Sequence, residues 1–488
     1  MPDFASLDFS DLPKQWIVAP SPLPDPVAGK RDRFAGYDLA MADAVPVQIL
    51  RDARGAEVGR LIGWPIHGET LHRADGTLRL AEGEGPEDLF DTLGGRFVLL
   101  WQAEDGRVLL REDSAGSLPA IFAPAAGIVA ATVTLMDQLH PLPVATEVEA
   151  IFDFPTRRGF LPFGLTPRQG AHRLMPNHAL DLSTMSTRRV WPDAAFAARP
   201  PLTDTRIAAG VAETAAILRR HMTAILKQGE TVLYLSGGQD SRTVLAAARG
   251  MTENLRAETL GDAGLLDAHV AAQVARAAGI PHARVSVLPV SGTEIETWLT
   301  RSGRMMFDPV TLLSATAVKI HTGNHPISGT GAEIMRASNW GADDLEAPEI
   351  DVDRLLARVR MPDLPVTRRA AQAWIDSLPP MDAALAIDLA KIEQIHGCWS
   401  GAEAYGHPLP FPTLNPFSGQ QLNEIALAMP GKYRLSNAMF GELMRSLWPE
   451  LLEVPINRAT GLSRLRFWRA EITRMIPAGL RRKLKPLR

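Results

Sequence analysis

The chain carries two patterns of hydrophobic and polar residues, which meet near residue 200. Residues 45–193 contain short apolar runs, such as RFVLLWQ, RVLLRED and AIFAP, separated by turn sequences such as DG and SAGS. Runs of this kind predict β-strands joined by tight connections. From residue 207, the helical run IAAGVAETAAILRRHMTAIL is followed by the strand-like run TVLYL and a second helical run, DAHVAAQVARAAG. This alternation predicts a parallel α/β sheet.

The predicted fold class is α/β, or α+β overall, with two domains. The proline-containing stretch 196–206 is interpreted as a linker between a domain of residues 1–195 and a domain of residues 205–488. Each is long enough to form a core of its own. Residues 1 to about 30 are interpreted as a proline-rich lead-in, and the chain beyond about residue 350 is predicted to be mainly helical.

Composition and charge narrow the functional classes. Hydrophobic residues make up 46% and charged residues 22% of the 488 residues, which is typical of a globular protein. The net charge of −4 does not suggest a nucleic-acid partner. Cys398 is the single cysteine, which excludes an intramolecular disulfide and a CxxC pair. The sequence lacks a signal-peptide pattern and an apolar run of about 18 residues, so a cytoplasmic location is expected.

The C-terminal stretch RLRFWRAEITRMIPAGLRRKLKPLR (464–488) is strongly basic. Its apolar residues Phe467, Trp468, Ile472 and Met475 are compatible with an amphipathic helix that contacts a membrane surface or an acidic partner. A surface helix followed by a frayed basic tail is the alternative.

The stretch TVLYLSGGQDSRTVLAAA (231–248) predicts a strand, a glycine turn and a helix that begins near Asp240 or Ser241. Glycine lets the backbone approach a ligand closely, and free N–H groups at a helix start attract anions. The Asp240 carboxylate would repel phosphate unless it holds a Mg²⁺ ion that bridges phosphates. The residues assigned to this phosphate site are Leu235, Ser236, Gly237, Gly238, Asp240 and Ser241.

Two common phosphate-binding motifs are excluded, because the stretch lacks the lysine of GxxxxGK[ST] and the spacing of GxGxxG. A capped helix after a tight turn, with no ligand, is the alternative interpretation. In its full context, the strand–SGGxDS–helix pattern resembles the PP-loop of ATP pyrophosphatases, which include asparagine synthetase, β-lactam synthetase and lasso-peptide cyclases. The resemblance implies ATP and Mg²⁺ as cofactors, with pyrophosphate released while a substrate oxygen is adenylated.

The stretch TLGDAGLLDAHVAAQVARAAGIPH (259–282) is similar to the second strand and helix of the asparagine synthetase branch. The resemblance implies that Leu260 and Gly261 lie beside the adenosine and that Asp267 opens a helix near the nucleotide. The helix dipole alone also favours an acid in a first turn, so a purely structural Asp267 remains open.

The stretch ISGTGAEIMRASNW is similar to the family segment SGEGSDExxxGY, with Ser328, Gly329 and Gly331 in matching positions. Thr330 stands where the family has a catalytic-site glutamate, and the family's Asp-Glu pair becomes Glu333-Ile334. The resemblance implies that Glu333 is catalytic and binds Mg²⁺. Arg336 is a candidate partner for a phosphate or a carboxylate. A glycine turn followed by an acid at a helix start is the alternative.

The stretch LWPELLEVPINRATG (447–461) is similar to the part of the family that carries an essential lysine. Arg458 is the basic residue found here. Arginine keeps a positive charge near a developing oxyanion or pyrophosphate, but it does not serve as a proton donor. Arg458 is therefore predicted to be the second catalytic residue, beside Glu333.

The N-terminal half resembles the class II glutamine amidotransferase domain, a β-sandwich, with Asp113, Gly116 and Pro119 matching its RDxxGxxPL turn. That glutaminase uses an N-terminal cysteine as its nucleophile, whereas position 2 here is Pro2. Only processing that exposes Ser6 would supply an N-terminal hydroxyl. Glutamine hydrolysis is therefore predicted to be lost, with the domain retained as a scaffold or docking surface.

The resemblances imply an asparagine synthetase-like ligase whose C-terminal domain has an adenine nucleotide α-hydrolase-like PP-loop fold and a helical C-terminal part. It would adenylate a carboxylate with ATP and form an amide with an amine, tailoring a peptide, a glycan or a small molecule. The sequence identifies neither the acceptor nor the amine donor. A nucleotide-binding scaffold without catalysis is the alternative, and tRNA thiolation is a less favoured one.

Overall fold

The protein has a mixed α+β structure. The computed structural model describes residues 7–20, 22–25, 27–152, 159–261, 265–306, 325–407, 409–461, 463–464 and 467–468. The N-terminal half is built on mainly antiparallel sheets, and the C-terminal half combines a parallel sheet with many helices.

Within the described part of the N-terminal half, the strands form an eight-stranded sheet, a six-stranded sheet and a two-stranded pair. The eight-stranded sheet has the order Ser186–Arg189, His178–Asp181, Val108–Glu112, Gly94–Gln102, Glu57–His67, Val47–Arg51 and Gly76–Arg79, with Thr70–Leu71 beside Glu57–His67. The six-stranded sheet has the order His172–Arg173, Ile121–Ala123, Ile128–Ala130, Trp16–Pro20, Tyr37–Met41 and Lys30–Phe34. Leu7–Asp8 pairs with Val27–Ala28.

The apolar run RFVLLWQ forms the strand Gly94–Gln102, which is buried on both faces. On one face, Val98 shares a core cluster with Ile17 of the six-stranded sheet. On the other face, Leu99 belongs to a second cluster that includes buried residues of the helix Pro86–Thr92. Burial on both sides explains why this run is continuously apolar and does not alternate with polar residues.

The lead-in predicted for residues 1 to about 30 is wrong where the chain forms the strand Trp16–Pro20. This strand lies inside the six-stranded sheet, between Ile128–Ala130 and Tyr37–Met41. Its apolar run is short and lies between prolines, so its local pattern resembles that of an extended linker. Pairing on both sides, which the sequence does not display, makes it a core strand.

The parallel sheet of the C-terminal half has the strand order His282–Val285, Leu255–Leu260, Thr231–Tyr234 and His325–Ile327, as the alternating pattern predicts. Because all of these strands run in the same direction, their carboxyl ends meet at one edge of the sheet. The segments that follow these ends therefore lie close together in space. The described helices between the strands are Asp240–Ala247, Leu266–Ala277 and Gly292–Arg301, and the helix Asp204–Leu226 precedes the first strand.

The described part of the chain beyond residue 350 is mainly helical, as predicted. Its helices are Val352–Val359, Pro365–Asp376, Ala383–Ala390, the π-helix Lys391–Ser400, Gly401–Gly406, Gln420–Ala428, Gly431–Leu435 and Ala438–Leu447. Further short helices are Val133–Leu139, Ala194–Ala197, and the 3₁₀ segments Thr146–Ile151, Ala332–Arg336 and Pro449–Glu453. Among the described residues, every helix is too short or too polar to cross a bilayer.

The two halves contact each other through the helix Lys391–Ser400. Arg189 Nη1 lies 2.6 Å from Glu393 Oε1, and both side chains are buried. Arg173 donates a hydrogen bond to the carbonyl oxygen of Gly397. One hydrophobic core cluster contains residues from both halves, and the division into two domains near residue 200 stays a prediction.

Candidate functional site

The glycine turn, residues 236–239, joins the strand Thr231–Tyr234 to the helix Asp240–Ala247. The Ser236 N–H donates to Ser241 Oγ at 3.0 Å, and the Gly238 N–H donates to Ser236 Oγ at 3.2 Å. The two hydroxyl oxygens are 3.1 Å apart. Because their mutual hydrogen bond uses one hydroxyl hydrogen, the second remains available to a ligand oxygen.

The start of this helix also offers unused backbone donors. Within the described part of the chain, the N–H groups of Gln239, Asp240 and Ser241 donate no hydrogen bond. Such groups carry the positive end of the helix dipole and bind anions. The turn therefore combines backbone and hydroxyl donors, as phosphate binding requires.

Asp267 lies in the first turn of the helix Leu266–Ala277, and its carboxylate holds the glycine turn. The Gly237 N–H donates to Asp267 Oδ1 at 2.9 Å. A Cβ atom at Gly237 would lie 3.0 Å from Val270 Cβ, so a larger residue would push the turn away from this helix. The contact shows a structural use of Asp267, and its predicted contact with the nucleotide stays a prediction.

The residues predicted for adenosine lie on the neighbouring strand. Leu260 ends the strand Leu255–Leu260, and Gly261 follows it with φ +120°. Leu235 is joined to this strand through its N–H, which donates to the Glu258 carbonyl at 2.9 Å. Leu260 and Gly261 therefore lie at the same sheet edge as the glycine turn.

The SGTG segment, residues 328–331, packs against the start of the helix Asp240–Ala247. A Cβ atom at Gly329 would lie 2.6 Å from Ser241 N and 2.9 Å from the Asp240 carbonyl carbon. Only glycine allows this approach, because both neighbouring atoms are backbone atoms. Ser328 Oγ lies 2.7 Å from the Asn415 side-chain amide, and the Ser328 N–H donates to the Leu414 carbonyl at 3.0 Å.

Asp240 makes an ion pair across the mouth of the turn. Arg336 Nη2 lies 2.7 Å from Asp240 Oδ2. Asp240 Oδ1 is buried and has no hydrogen-bond partner. Burial raises the pKa of Asp240, although the Arg336 charge opposes this shift.

Glu333 lies beside the same helix start and is held by the local backbone and a basic group. Its Oε2 accepts a hydrogen bond from the Gly331 N–H at 3.0 Å and lies 3.8 Å from His396 Nε2. Burial alone would raise the pKa of Glu333, but the charges of His396 and Lys391 outweigh it, and the pKa is lowered. Glu333 is therefore ionised at neutral pH.

Lys391 and His396 were not predicted from the sequence. Both are buried, and both come from the helix Lys391–Ser400. The Lys391 charge acts on both Asp240 and Glu333. The one local signal is a group of polar residues, Lys391 and Glu393 among them, inside a helical stretch that follows the apolar run AALAIDLA.

Arg458 lies next to the glycine turn but is exposed. The N–H of its neighbour Asn457 donates to the Gly237 carbonyl at 2.9 Å. Arg242, which was not predicted either, fixes this segment: it donates to the Gly237 carbonyl at 3.2 Å and to the Leu451 carbonyl at 3.2 Å. Burial lowers the pKa of Arg242 to about 10.

The predicted glutaminase positions are only partly described. Pro2 and Ser6 lie outside the described residues. Cys398 is buried, and burial raises the pKa of its thiol to about 11, so the thiol is protonated at neutral pH. A protonated thiol is a poor nucleophile. The Asp113 turn packs against the helix that carries Cys398, since a Cβ atom at Gly116 would lie 3.3 Å from Gly397 Cα.

The acids near the turn fit a Mg²⁺ ion that also binds phosphates. Among the described residues, no group of three or more His, Cys, Asp and Glu side chains could hold a metal ion. Mg²⁺ commonly uses one or two protein carboxylates and takes its other ligands from water and phosphate. The unpartnered Oδ1 of Asp240 and the ionised carboxylate of Glu333 match this smaller requirement.

No protein-family model matches the chain, and no curated protein matches it. A function is therefore inferred from the residues that meet at the glycine turn.

Proposed function

We propose that this chain is an ATP-dependent ligase that adenylates a carboxylate and then forms a C–N bond. One observation carries the proposal: three stretches that resemble the asparagine synthetase family, around Asp240, Leu260 and Gly329, are distant in the sequence and meet at one end of the parallel sheet.

The residues at this end have complementary roles in the proposal. The free N–H groups at 239–241 and the Ser236 and Ser241 hydroxyls bind the triphosphate. Leu260 and Gly261 lie near the adenosine. Asp240 and Glu333 would hold Mg²⁺, which neutralises the phosphate charge.

The proposed reaction has two steps. An oxygen of the acceptor carboxylate attacks the α-phosphorus of ATP, and the bond to the leaving pyrophosphate breaks. The amine nitrogen then attacks the carbonyl carbon of the acyl-adenylate and loses a proton as AMP leaves. Positioning and charge neutralisation supply most of the acceleration.

Two basic residues support the charge balance of these steps. Arg458, at the rim, keeps a positive charge near the leaving pyrophosphate. Lys391 is buried, and its charge acts on the carboxyl groups of Asp240 and Glu333. Lysine can donate a proton where arginine does not, so Lys391 compensates for the absence of a lysine in the segment 447–461.

The N-terminal half is proposed to be an amidotransferase-like β-sandwich without glutaminase activity. The amine is then free ammonia, a tethered amine, or an amine within the acceptor itself. A tailoring reaction on a peptide, glycan or small molecule fits this nitrogen supply, with a cytoplasmic location. The membrane or acidic-partner contact predicted for residues 464–488 falls largely outside the described residues and stays a prediction.

Calorimetry with Mg·ATP tests the proposal without knowledge of the acceptor. Asp240→Ala is expected to weaken Mg·ATP binding at least tenfold, about 1.4 kcal/mol. Asp204→Ala, which removes an exposed acid from the first turn of another helix, is the control and should leave binding unchanged. Binding by the native chain that Asp240→Ala leaves unaffected would contradict the proposal.

A nucleotide-binding scaffold without turnover is the second candidate. Thr330 in place of an acid and the engagement of Asp240 with Arg336 favour it. Hydroxylamine trapping of acyl-adenylates separates the two candidates: Mg·ATP binding without pyrophosphate release, for every acceptor tried, supports the scaffold.

Thiolation of tRNA is less favoured, because Cys398 is buried and cannot carry sulfur to a substrate.

A further inference from the structure

The pair between Arg336 and Asp240 occupies the place where phosphate charge would arrive. Arg336 Nη2 lies 2.7 Å from Asp240 Oδ2, with side chains 31% and 23% exposed. The pair is thus open to solvent on one side. The pair is neutral overall, because the charge of Asp240 compensates that of Arg336. An incoming polyphosphate therefore meets an arginine that is already paired with a carboxylate.

The anchoring of Arg336 leaves its long side chain adjustable. It ends the 3₁₀ segment Ala332–Arg336, in which Ile334 and Met335 are buried. The Ile334 carbonyl is further held by Arg434. The backbone is therefore fixed beside the turn, while the guanidinium is partly exposed.

The guanidinium also has donors to spare. Arg336 Nε is buried and has no hydrogen-bond partner. A guanidinium presents Nε and Nη donors as a fork that binds two oxygens of one phosphate, and such bonds are stronger than a single contact with a partly exposed carboxylate. Exchange of the Asp240 oxygen for phosphate oxygens would satisfy the unused donor.

We infer that Arg336 binds the phosphates of the nucleotide directly, and that its pair with Asp240 is the ligand-free arrangement. The inference rests on the proposed function and deepens it. It implies that ATP binds without Mg²⁺, because Arg336 supplies part of the positive charge that the metal supplies elsewhere. It also implies that Asp240 opposes metal-free binding, since its carboxylate holds Arg336 and repels phosphate.

The test compares ATP binding in EDTA with ATP binding in Mg²⁺, by calorimetry at constant ionic strength. The native chain is expected to bind ATP in EDTA, ten- to a hundredfold more weakly than Mg·ATP. Arg336→Met should weaken binding in EDTA at least tenfold, and Arg336→Lys should weaken it less. Asp240→Asn should strengthen binding in EDTA several-fold and lose most of the gain from Mg²⁺.

Arg249→Met is the matched control. Arg249 follows the other end of the same helix and pairs with Glu450 at 2.6 Å, so its loss removes one charge near the helix but away from the turn. Binding should not change in this variant. Thermal unfolding of each variant establishes that the protein tested is folded.

The outcomes separate the inference from the proposed function. Native protein that binds Mg·ATP but not ATP in EDTA overturns the inference and leaves the proposed function standing. Native protein that binds neither overturns both. Equal weakening by Arg336→Met and Asp240→Asn in EDTA would show that the pair is a structural tie, which also overturns the inference. Opposite effects of the two substitutions support it.

Discussion

Two glycine-containing turns of this protein, one in each half, use an aspartate in different ways. In the N-terminal turn, Asp113 accepts hydrogen bonds from Ala115 N at 3.1 Å, Ser117 N at 3.1 Å, Ser117 Oγ at 2.9 Å and Leu118 N at 3.1 Å. In the C-terminal turn, Asp240 has one oxygen paired with Arg336 and one without a partner. Burial raises the pKa of both carboxyl groups.

The number of hydrogen bonds that each carboxylate accepts distinguishes a structural aspartate from a candidate ligand-binding one. Asp113 is saturated by its own turn, so it has no capacity for a ligand. Asp240 Oδ1 has no hydrogen-bond partner. A buried carboxylate oxygen without a partner lowers the stability of the fold unless a ligand binds it. Resemblance to a family motif covers both turns, but of the two aspartates only Asp240 has an oxygen without a partner.

The largest expected effect is on stability, from Asp113→Ala. The substitution leaves several buried donors without their acceptor, so the free energy of unfolding should fall by about 5 kcal/mol. Denaturant unfolding measures this. Asp113→Asn, which keeps one acceptor oxygen, should cost less, and an equal cost for both would contradict this account of the turn.

A second effect concerns Glu112, beside Asp113. Burial raises the pKa of Glu112 to about 8, from 4.5 for an exposed glutamate. At this site the folded protein then binds more protons than the unfolded chain between these values, so the contribution of Glu112 to stability is greatest at low pH and is lost as the pH rises towards 8. Between about pH 6 and pH 8 the loss should be about 2 kcal/mol.

Glu112→Gln should remove this pH dependence, because a glutamine does not ionise and still offers an oxygen to the Ala120 N–H. Urea titrations of both proteins at several pH values provide the measurement. Parallel pH profiles for the two proteins would show that Glu112 does not titrate in this range.

The C-terminal turn is tested by Gly329→Ala. The added Cβ would meet the Ser241 N and the Asp240 carbonyl carbon, both backbone atoms, and must displace the start of the helix. We expect Mg·ATP affinity to fall about tenfold, or 1.4 kcal/mol. Gly292→Ala is the control, since no atom lies within 4 Å of a Cβ there, and it should leave affinity unchanged. Unaltered binding in Gly329→Ala would argue against a ligand at this helix start.

The smallest effect is expected from Cys398→Ala. It removes a buried sulfur, which should lower the free energy of unfolding by about 1 kcal/mol without altering ATP binding. A thiol reagent should label the folded native protein much more slowly than the unfolded chain. Rapid labelling of the folded protein would contradict the burial of this thiol.

Local features of the fold and site were predictable, and distant contacts were not. The turn that begins at Ser236, with its strand and helix, follows from contiguous residues whose pattern fixes both elements. Lys391 and His396 were missed because they reach the site through packing of a distant segment. Arg242 directly follows the predicted turn, but its role was missed because its partner Leu451 is distant in the sequence. The strand Trp16–Pro20 was missed for the same reason, since its partners along the sheet, not its own sequence, make it a core strand.

The contact between Arg189 and Glu393 affects whether the C-terminal half can be expressed alone, and whether recombination can separate the two halves. Glu393 also receives hydrogen bonds from Trp374 and Asn177, and its helix carries Lys391 and His396. If the C-terminal half were expressed alone, the buried Glu393 carboxylate would lose its partner Arg189, in the helix that supports the site. The N-terminal half thus acts as a permanent internal subunit, which recombination cannot discard without harming its neighbour.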